Sequence, residues 1–435
     1  MDTKKLRQKI LDLAIHGKLV PQDPNDEPAS VLLERIRAEK ERLIKEGKIK
    51  RSKKSASDTP HYENIDFDVP SSWEIITLSE VFFMHAGKSI SAADISPEPN
   101  EEYRYLCVGG NGKRGYVSSY NTVGAHPIIG RQGALCGNVN YTDGQVYATE
   151  HAVVVDTFCE TEAWWAYYFL KQLNLNQYAT ATAQPGLSVN TIGDVQIPLP
   201  PYKEQVRIVA AIEQWYSLID ALETAKEDLQ TSIEYTKSKI LDLAIHGRLV
   251  LQDPNDEPAI ELLKRINPKF TPCDNAHYEN VAEGWTVCTL EEIIDYEQPQ
   301  AYIVQSTDYK PQYKIPVLTA GKSFIIGYTN ESEGIFTDLP VIIFDDFTTD
   351  SKFVDFPFKV KSSAMKILHV KEEVNIQYVC WFMNITRLIG DTHKRYWISE
   401  YSKLHVPIPP RKEQDRIINK VNELFQILDN ISAEL

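Results

Sequence analysis

Two groups of residues have the composition of a cofactor-binding or catalytic motif. Gly110-Asn-Gly-Lys-Arg-Gly115 has the spacing of a dinucleotide-binding loop and follows a strand-like run. That function requires a helix to begin within the motif, but the residues after it, Tyr116-Val-Ser-Ser-Tyr120, are typical of a strand. Asp345-Asp346, with Asp350 and Lys352, loosely has the composition of a nuclease site that holds Mg²⁺. Its spacing is tight and the first half of the chain has no equivalent, so we favour a polar loop that follows a strand.

A third motif, Leu199-Pro-Pro-Tyr202, is close to the (Asn/Asp)-Pro-Pro-(Tyr/Phe) motif of amino-methyltransferases. In those enzymes the Asn or Asp accepts a hydrogen bond from the amine that is methylated. Leucine occupies that place here, and a second copy of the segment reads Ile408-Pro-Pro-Arg411. The motif therefore does not indicate methyl transfer.

Polar residues on other predicted loops are better suited to reading DNA bases. Gly130-Arg-Gln-Gly133 places a guanidinium and an amide on one turn, and Arg can pair bidentately with guanine and Gln with adenine. A solvated turn is an equally good interpretation of any single one of these residues. The candidate DNA-binding residues are Lys113, Arg114, Arg131, Gln132, Thr149, His151, Gln184 and Ser188 in the first half, and Thr319, Lys322, Ser323, Asp346, Thr348, Thr349, Lys352, Lys361 and Ser363 in the second.

Composition limits how such a chain could bind DNA. The 435 residues hold 46 basic and 61 acidic side chains, a formal net charge of −15. Residues 61–200 hold six basic and 15 acidic side chains, so a contact surface there must be small. The six cysteines are scattered without a Cys-x-x-Cys pair, which predicts free thiols and no structural metal. No apolar run has membrane length, so we expect a cytoplasmic protein.

The elements that position these loops are organised around one long helix. From Lys203 to Gly247 the apolar residues are spaced by three and four, and no Pro or Gly interrupts the pattern before Gly247. About 45 residues at 1.5 Å each would extend over roughly 67 Å. That is longer than a single compact domain needs, so the pattern predicts a spacer.

Both ends of this helix recur elsewhere in the chain. Lys9–Ile36 and Lys239–Ile266 are identical at 23 of 28 positions, and Ile197–Val209 resembles Val406–Ile418. The two chain termini together therefore nearly rebuild a second copy of the central helix. This predicts a pseudo-two-fold molecule in which two antiparallel helices separate two globular domains.

The predicted fold class is α+β, with two mixed α/β recognition domains separated by a long antiparallel helical coiled coil. The first domain shows short strand-like runs and then a helix at Trp164–Leu170, and the second repeats this order with a helix at Tyr378–Met383. His61-Tyr-Glu-Asn64 and His277-Tyr-Glu-Asn280 begin the two domains. The expected divisions are residues 1–54, a helical region; 61–200, the first recognition domain; 201–268, a central region with the spacer helix; 277–405, the second recognition domain; and 406–435, a C-terminal helix.

The repeated blocks resemble the conserved regions of the specificity subunit of type I restriction–modification systems. The similarity includes the block that starts at Lys9, the Pro-Pro-x-Lys-Glu-Gln blocks, and the segments at Gly109, Ile129, Gln184 and Phe344. The resemblance implies two target recognition domains, each reading half of a bipartite asymmetric DNA site, and helical regions that set the spacer and dock two methylation subunits.

Under this resemblance the chain is non-catalytic and has no cofactor of its own. S-adenosylmethionine, ATP and Mg²⁺ would belong to the methylation and restriction subunits of a bacterial or archaeal complex. Two alternatives remain open. One is a fused methyltransferase or nuclease, for which the motifs above are incomplete, and the other is a protein–protein adaptor without DNA contact, which the acidic charge favours.

Overall fold

The computed structural model describes residues 2–50, 67–133, 135–159, 161–179, 186–272, 281–319, 323–388 and 395–435. The chain divides into two compact units, Met1–Ala225 and Lys226–Leu435, which we call unit 1 and unit 2. The predicted segments at 61–64 and 277–280 lie outside the described residues.

Ten helices occur in the described residues, and the sixth belongs partly to each unit. They are α1 Thr3–Ile15, α2 Ala29–Lys45, α3 Leu78–Val81, α4 Ala163–Gln172, α5 Val189–Gly193, α6 Tyr202–Ile245, α7 Ala259–Ile266, α8 Leu290–Ile293, α9 Ile376–Ile385 and α10 Arg411–Glu434. The 44-residue α6 confirms the predicted uninterrupted helix. It ends two residues before Gly247, whose φ of 64° is the left-handed conformation that glycine adopts at helix ends.

Ten strands occur in the part of unit 1 that the structure describes. They are β1 Glu74–Thr77, β2 Phe83–Ala86, β3 Tyr105–Gly109, β4 Gly112–Val117, β5 Thr122–Val123, β6 His126–Gly130, β7 Val139–Thr142, β8 Gln145–Ala148, β9 Ala152–Asp156 and β10 Gln196–Leu199. They form one sheet in the order β2-β9-β6-β7, a second in the order β4-β3-β8-β5, and the pair β1-β10. In the second sheet β3 and β8 run parallel.

The nine strands described in unit 2 follow a similar order, without a counterpart of β5. They are β11 Thr286–Thr289, β12 Ile294–Glu297, β13 Ile315–Leu318, β14 Ile325–Thr329, β15 Val341–Asp345, β16 Ser351–Val354, β17 Lys359–Val360, β18 Met365–Val370 and β19 His405–Ile408. The sheets are β12-β18-β15-β16 and β14-β13-β17, with the pair β11-β19. Here β13 and β17 are the parallel neighbours.

Local sequence explains where several of these elements begin. Thr77 and Glu80 form a capping box at the start of α3, and Thr289 and Glu292 form the same box at α8. The longer α4 begins behind Glu162, whose carboxylate accepts a hydrogen bond from the backbone of Trp164. These caps fix the ends of helices whose apolar faces fill the core of each unit.

The Lys-Glu-Gln segment at the start of α6 forms buried hydrogen bonds to other parts of unit 1. Glu204 is 1% exposed, and its carboxylate accepts hydrogen bonds from Trp73 Nε1 at 2.9 Å and Gln22 Nε2 at 2.5 Å. Its neighbour Gln205 accepts from the Glu162 backbone N–H at 3.0 Å. One turn later Arg207 forms an ion pair of 2.6 Å with Asp26. These contacts connect α6 to the segment after α1, to Trp73 just before β1, and to Glu162 at the start of α4.

Unit 2 makes matching contacts from the start of α10. Glu413 accepts from Gln252 Nε2 at 3.0 Å, and Gln414 accepts from the Asn375 backbone N–H at 2.7 Å. Arg416 pairs with Asp256 at 2.6 Å. The Lys-Glu-Gln motifs therefore have a structural role, because their hydrogen bonds join separate parts of each unit. The sequence alone did not indicate this role.

Candidate nucleic-acid interface

Three connections of unit 1 meet at one edge of its sheets. They are the β3–β4 turn, the loop that follows β6, and the β8–β9 turn. The Arg131 backbone N–H donates to the His151 carbonyl at 2.9 Å. A side-chain carbon on Gly110 would lie 2.6 Å from the His151 carbonyl oxygen, and one on Gly130 would lie 2.3 Å from that of Gly110. Because any side chain would obstruct these approaches, the glycines allow the three connections to pack backbone against backbone. We call residues 109–114, 130–133 and 149–151, with Lys88 and 186–188, the unit 1 cluster.

The unit 1 cluster concentrates positive charge in an acidic chain. Of the six basic side chains in residues 61–200, four lie here: Lys88, Lys113, Arg114 and Arg131. Lys88 belongs to it because its backbone N–H donates to the Ala148 carbonyl at 3.0 Å. Lys88, Lys113 and Arg114 are exposed and Arg131 is half-buried. Across the described ranges none of the four forms an ion pair, so their charge is available to a ligand.

Other predicted residues of unit 1 occupy different positions in this cluster. Gln132 is exposed and its backbone bridges to Gly186. Ser188 is exposed, but its hydroxyl caps α5 by accepting from the Thr191 backbone N–H. Gln184 lies outside the described residues.

Thr149 and His151 bracket a tight turn in which the Ala152 backbone N–H donates to the Thr149 carbonyl at 3.0 Å. Thr149 is fully buried, which removes it from the surface that DNA could touch. The side chain of His151 is 43% exposed, and its Nε2 lies 3.2 Å from Glu150 Oε1. The prediction that Thr149 contacts DNA is therefore corrected to a structural role.

Unit 2 brings the corresponding connections together through the same backbone bonds. The Asp346 N–H donates to the Ala364 carbonyl at 3.0 Å, as Arg131 does to His151. The Tyr396 N–H donates to the Asp346 carbonyl at 2.9 Å, as Leu187 does to Arg131. We call residues 319, 323, 345–352, 361–364 and 395–398 the unit 2 cluster.

The side chains on this shared backbone arrangement differ between the units. Asp346 is 2% exposed, and its carboxylate accepts from the Trp397 N–H at 2.8 Å and lies 3.3 Å from the buried Lys366 ammonium. Thr349 is fully buried and bonded to the Leu388 carbonyl. For Asp346 and Thr349 the predicted contact with DNA is therefore corrected to a role in holding the cluster together.

The remaining predicted residues of unit 2 are more accessible. Thr348, Lys361 and Ser323 are exposed. Half-buried positions are occupied by Thr319, Lys352 and Ser363. Lys322 lies outside the described residues.

The carboxylates of the suspected nuclease motif are already engaged. Asp345 Oδ1 accepts from the backbone N–H groups of Phe347 and Thr348, and Asp350 pairs with Arg387 at 2.6 Å. Among the described residues no group of three or more His, Cys, Asp or Glu is placed to hold a metal ion. Strand β4 also runs through the Gly110–Gly115 motif, which confirms that no helix begins there.

Three residues of the clusters were not among the predicted DNA-binding residues. Lys88 reaches the unit 1 cluster through a bridge to Thr149, and Glu150 occupies the β8–β9 turn. In unit 2, Arg395 is exposed and lies 5.9 Å from the centre of the Phe347 ring. Only the position of Glu150, between two predicted residues, was a signal in the sequence.

A half-buried group of one carboxylate and two histidines lies elsewhere in unit 1. Burial alone would raise the pKa of Asp156, but hydrogen bonds with His126 and His85 lower it to about 2. The hydrogen bond with Asp156 raises the pKa of His85. At His126 burial acts to lower the pKa and the hydrogen bond with Asp156 acts to raise it, and the pKa is raised overall. This group joins β2, β6 and β9.

Each unit also has exposed apolar residues on one of its long helices. Trp215 is 49% exposed and Leu218 is 55% exposed, although both lie on α6 at the spacing of a coiled-coil seam. In unit 2, Ile427 is 50% exposed at the matching place on α10. We call these residues the outer stripe, with one half in each unit. The half in unit 1 consists of Ala211, Trp215, Leu218 and Leu222 on α6, and the half in unit 2 consists of Ile427, Ile431 and the half-buried Leu424 on α10.

No helix among the described residues is long and apolar enough to cross a membrane.

Residues 70–231 match the family described as "Type I restriction modification DNA specificity domain". The chain is 47% identical over 166 residues to the EcoR124I/EcoR124II specificity subunit of Escherichia coli, a match that spans 36% of this chain and 41% of that protein. It is 31% identical over 388 residues to the Escherichia coli EcoEI specificity subunit, spanning 67% of this chain and 62% of that one.

The chain thus spans about two fifths of the length of EcoR124I/EcoR124II, and the same holds for the EcoprrI specificity subunit of Escherichia coli, at 41%. Among solved structures, one described as "Structural basis underlying complex assembly and conformational transition of the type I R-M system" superposes with a TM-score of 0.53. It is 14% identical in sequence and covers 84% of this chain and 93% of that one, so the likeness concerns the fold. Taken together, these matches show that residues 70–231 are similar to the DNA specificity domain of type I restriction–modification systems, and that larger parts of the chain are similar to specificity subunits of type I restriction enzymes.

Proposed function

We propose that the chain is the DNA-recognition and scaffold subunit of a type I restriction–modification complex. Each cluster reads one half of a bipartite asymmetric site in double-stranded DNA. The observation that carries this proposal is the gathering of Lys88, Lys113, Arg114 and Arg131, none of them in an ion pair within the described ranges, on one edge of an acidic unit. Such a patch attracts phosphates, while Arg131 can pair with a guanine.

The two units would read different sequences with one architecture. The same backbone bonds hold Arg131 in unit 1 and Asp346 in unit 2, so the surrounding loops present different groups to a base pair. We assign residues 61–200 and 277–405 to the two recognition domains. Residues 1–54, 201–268 and 406–435 form the helical regions.

In this proposal the helical regions form an antiparallel coiled coil with internal pseudo-two-fold symmetry. In unit 1, Arg7 of α1 pairs with Asp220 of α6 at 2.5 Å. In unit 2, Lys237 of α6 pairs with Asp429 of α10. These matching contacts support the repeat, and a coil of this kind would set the number of base pairs between the half-sites.

The outer stripe supports docking of two methylation subunits, one on each long helix. Large apolar groups at coiled-coil spacing that remain in water favour a partner helix. S-adenosylmethionine would be bound by those subunits, with ATP and Mg²⁺ used by the restriction subunits of a cytoplasmic complex. The chain itself would be non-catalytic, and methyl transfer by the chain purified free of partners would contradict this.

The test of DNA reading is Arg131→Ala in the chain assembled with its methylation subunits. If Arg131 pairs with a guanine, the substitution should cost about 1–3 kcal/mol and relax one position of one half-site. Genome-wide mapping of methylated sites measures this directly. Arg104→Ala is the matched control, because Arg104 is exposed at the opposite end of β3 from the cluster. A uniform loss across all sequences would make Arg131 a phosphate-binding or folding residue.

Docking is tested by placing a charge in each half of the outer stripe. Leu218→Glu and Ile427→Glu should each reduce the number of bound methylation subunits by one, because a buried carboxylate opposes helix packing. Native mass spectrometry counts the subunits. Thr224→Glu is the control, since Thr224 is exposed about 120° around α6 from Leu218. Complexes of unchanged composition in both stripe variants would refute this docking surface.

A further inference from the structure

The unit 1 cluster, as defined above, contains four cationic residues and one carboxylate, Glu150. It occupies the second position of the Thr149–Ala152 turn. Two glycines pack against the backbone of this turn. A side-chain carbon on Gly87 would lie 2.2 Å from the Ala148 carbonyl oxygen, and a side-chain carbon on Gly110 would lie 2.6 Å from the His151 carbonyl oxygen. The backbone therefore fixes the position of Glu150 independently of its side chain.

The carboxylate of Glu150 is only partly satisfied within the chain. Its Oε1 lies 3.2 Å from His151 Nε2. Its Oε2 is shielded from water and has no hydrogen-bond partner in the part of the chain that the structure describes. Neither oxygen lies within ion-pair distance of Lys88, Arg114 or Arg131. An acceptor left unpaired in this way costs free energy that a suitable donor would recover.

DNA offers few such donors to an anion. Phosphates repel a carboxylate, so Glu150 weakens non-specific binding by the surrounding cations. In the major groove the donors are the exocyclic amino groups, N4 of cytosine and N6 of adenine, whereas guanine O6 and thymine O4 are acceptors. A carboxylate can only accept hydrogen bonds, so it attracts the amino groups of cytosine and adenine and repels the carbonyl oxygens of guanine and thymine.

We propose that Glu150 is a specificity-determining residue that accepts a hydrogen bond from a base amino group in the half-site read by unit 1. This inference rests on the proposed function, because it requires the unit 1 cluster to face DNA. Since 37% of the side chain is exposed, rotation within the turn can bring the carboxylate to a base edge. Arg131, whose backbone is bonded to the same turn, supplies the complementary donor for a neighbouring base.

The experiment compares Glu150→Gln and Glu150→Ala with the wild-type chain, each assembled with its methylation subunits. Mapping of methylated sites should show one position of the unit 1 half-site relaxing to accept bases that present a carbonyl. The other half-site should stay unchanged. In binding assays the preference for the cognate base at that position should fall by roughly 10- to 100-fold.

Base analogues identify which amino group is read. Cytosine at the affected position is replaced by pyrimidin-2-one, which lacks the N4 amino group, or adenine by purine, which lacks N6. The wild-type complex should lose affinity on one of these duplexes, whereas the Glu150→Ala complex should bind the natural and analogue duplexes equally.

Asp143→Asn is the matched control, because Asp143 is an exposed acid at the opposite end of β8. It removes the same charge from unit 1 and should leave both half-site sequences unchanged. The inference is overturned if both Glu150 variants retain the wild-type sites, or if they weaken binding uniformly across all sequences. If Arg131→Ala alters the site but the Glu150 variants do not, only this inference fails. If none of them alters it, the proposed function fails as well.

Discussion

The buried ion pair of unit 2 makes a quantitative prediction about what holds its cluster together. Lys366 and Asp346 have side chains that are 1% and 3% exposed, and they lie 3.3 Å apart. Lys366 also donates to Gln298 Oε1 at 3.0 Å. We consider Lys366→Met, which keeps most of the length of the side chain and removes its terminal ammonium and charge.

The substitution leaves Asp346 as a buried carboxylate with one remaining donor among the described residues, the Trp397 N–H at 2.8 Å. Removing one partner of a buried ion pair costs about 3–5 kcal/mol, because the other charge stays away from water. Replacing both partners, as Lys366→Met with Asp346→Asn, removes the uncompensated charge. The double variant should therefore be more stable than Lys366→Met alone.

Hydrogen exchange followed by mass spectrometry can assign this loss to one unit. Protected amides of β15 and β18 should exchange roughly 100- to 4,000-fold faster in Lys366→Met, if they exchange through unfolding of unit 2. Amides of β6 and β9 in unit 1 serve as the internal control and should be unaffected.

Two outcomes would refute this reasoning. One is a cost below about 1 kcal/mol for Lys366→Met, which would mean that Asp346 is hydrated or neutral in the folded chain. The other is a double variant as unstable as the sum of the single ones, which would show that the two charges do not interact.

Three further predictions concern unit 1. Burial raises the pKa of Glu204 above its ordinary value of 4.5. The contribution of Glu204 to the free energy of unfolding is therefore complete below about pH 4.5 and is lost as the pH rises through the higher pKa of the folded state. Glu204→Gln should make the melting temperature fall less steeply over this pH range. Asp156→Asn should lower the raised pKa of His126 by removing its hydrogen-bond partner, measured by NMR titration, and an unchanged value would contradict the pairing. Gly110→Ala should weaken binding of the unit 1 half-site alone by about 1–3 kcal/mol, because the added carbon would lie 2.6 Å from the His151 carbonyl oxygen; equal affinity would refute the tight packing.

Helices and strands were predictable where a local pattern determines them. The spacing of apolar residues predicted α6, and the short β-rich runs predicted β3, β6 and β9. The helix of unit 2 predicted at Tyr378–Met383 is α9 at Ile376–Ile385. In these segments the backbone conformation and the buried face follow from neighbouring residues.

The candidate site was less predictable because burial there depends on distant partners. Asp346 is buried through Lys366 and Trp397, which are 20 and 51 positions away in the chain. The sequence pattern of a polar loop is the same whether such a group faces water or the core. Lys88 joins its cluster through a strand pairing that no local pattern indicates.

Main-chain bonds join the loops of both clusters, as from Arg131 to the His151 carbonyl and from Asp346 to that of Ala364, and in unit 2 the buried pair of Asp346 and Lys366 adds a side-chain contact. A main-chain bond makes no demand on the side chain of either residue. Substitutions at exposed cluster positions should therefore alter what is recognised at little cost in folding, which gives the architecture high evolvability. The glycines at 87, 110 and 130 are the exception, because each lies too close to a neighbouring backbone for a larger residue. Among homologues, mutational tolerance should thus be high at positions such as Gln132 and low at these three glycines.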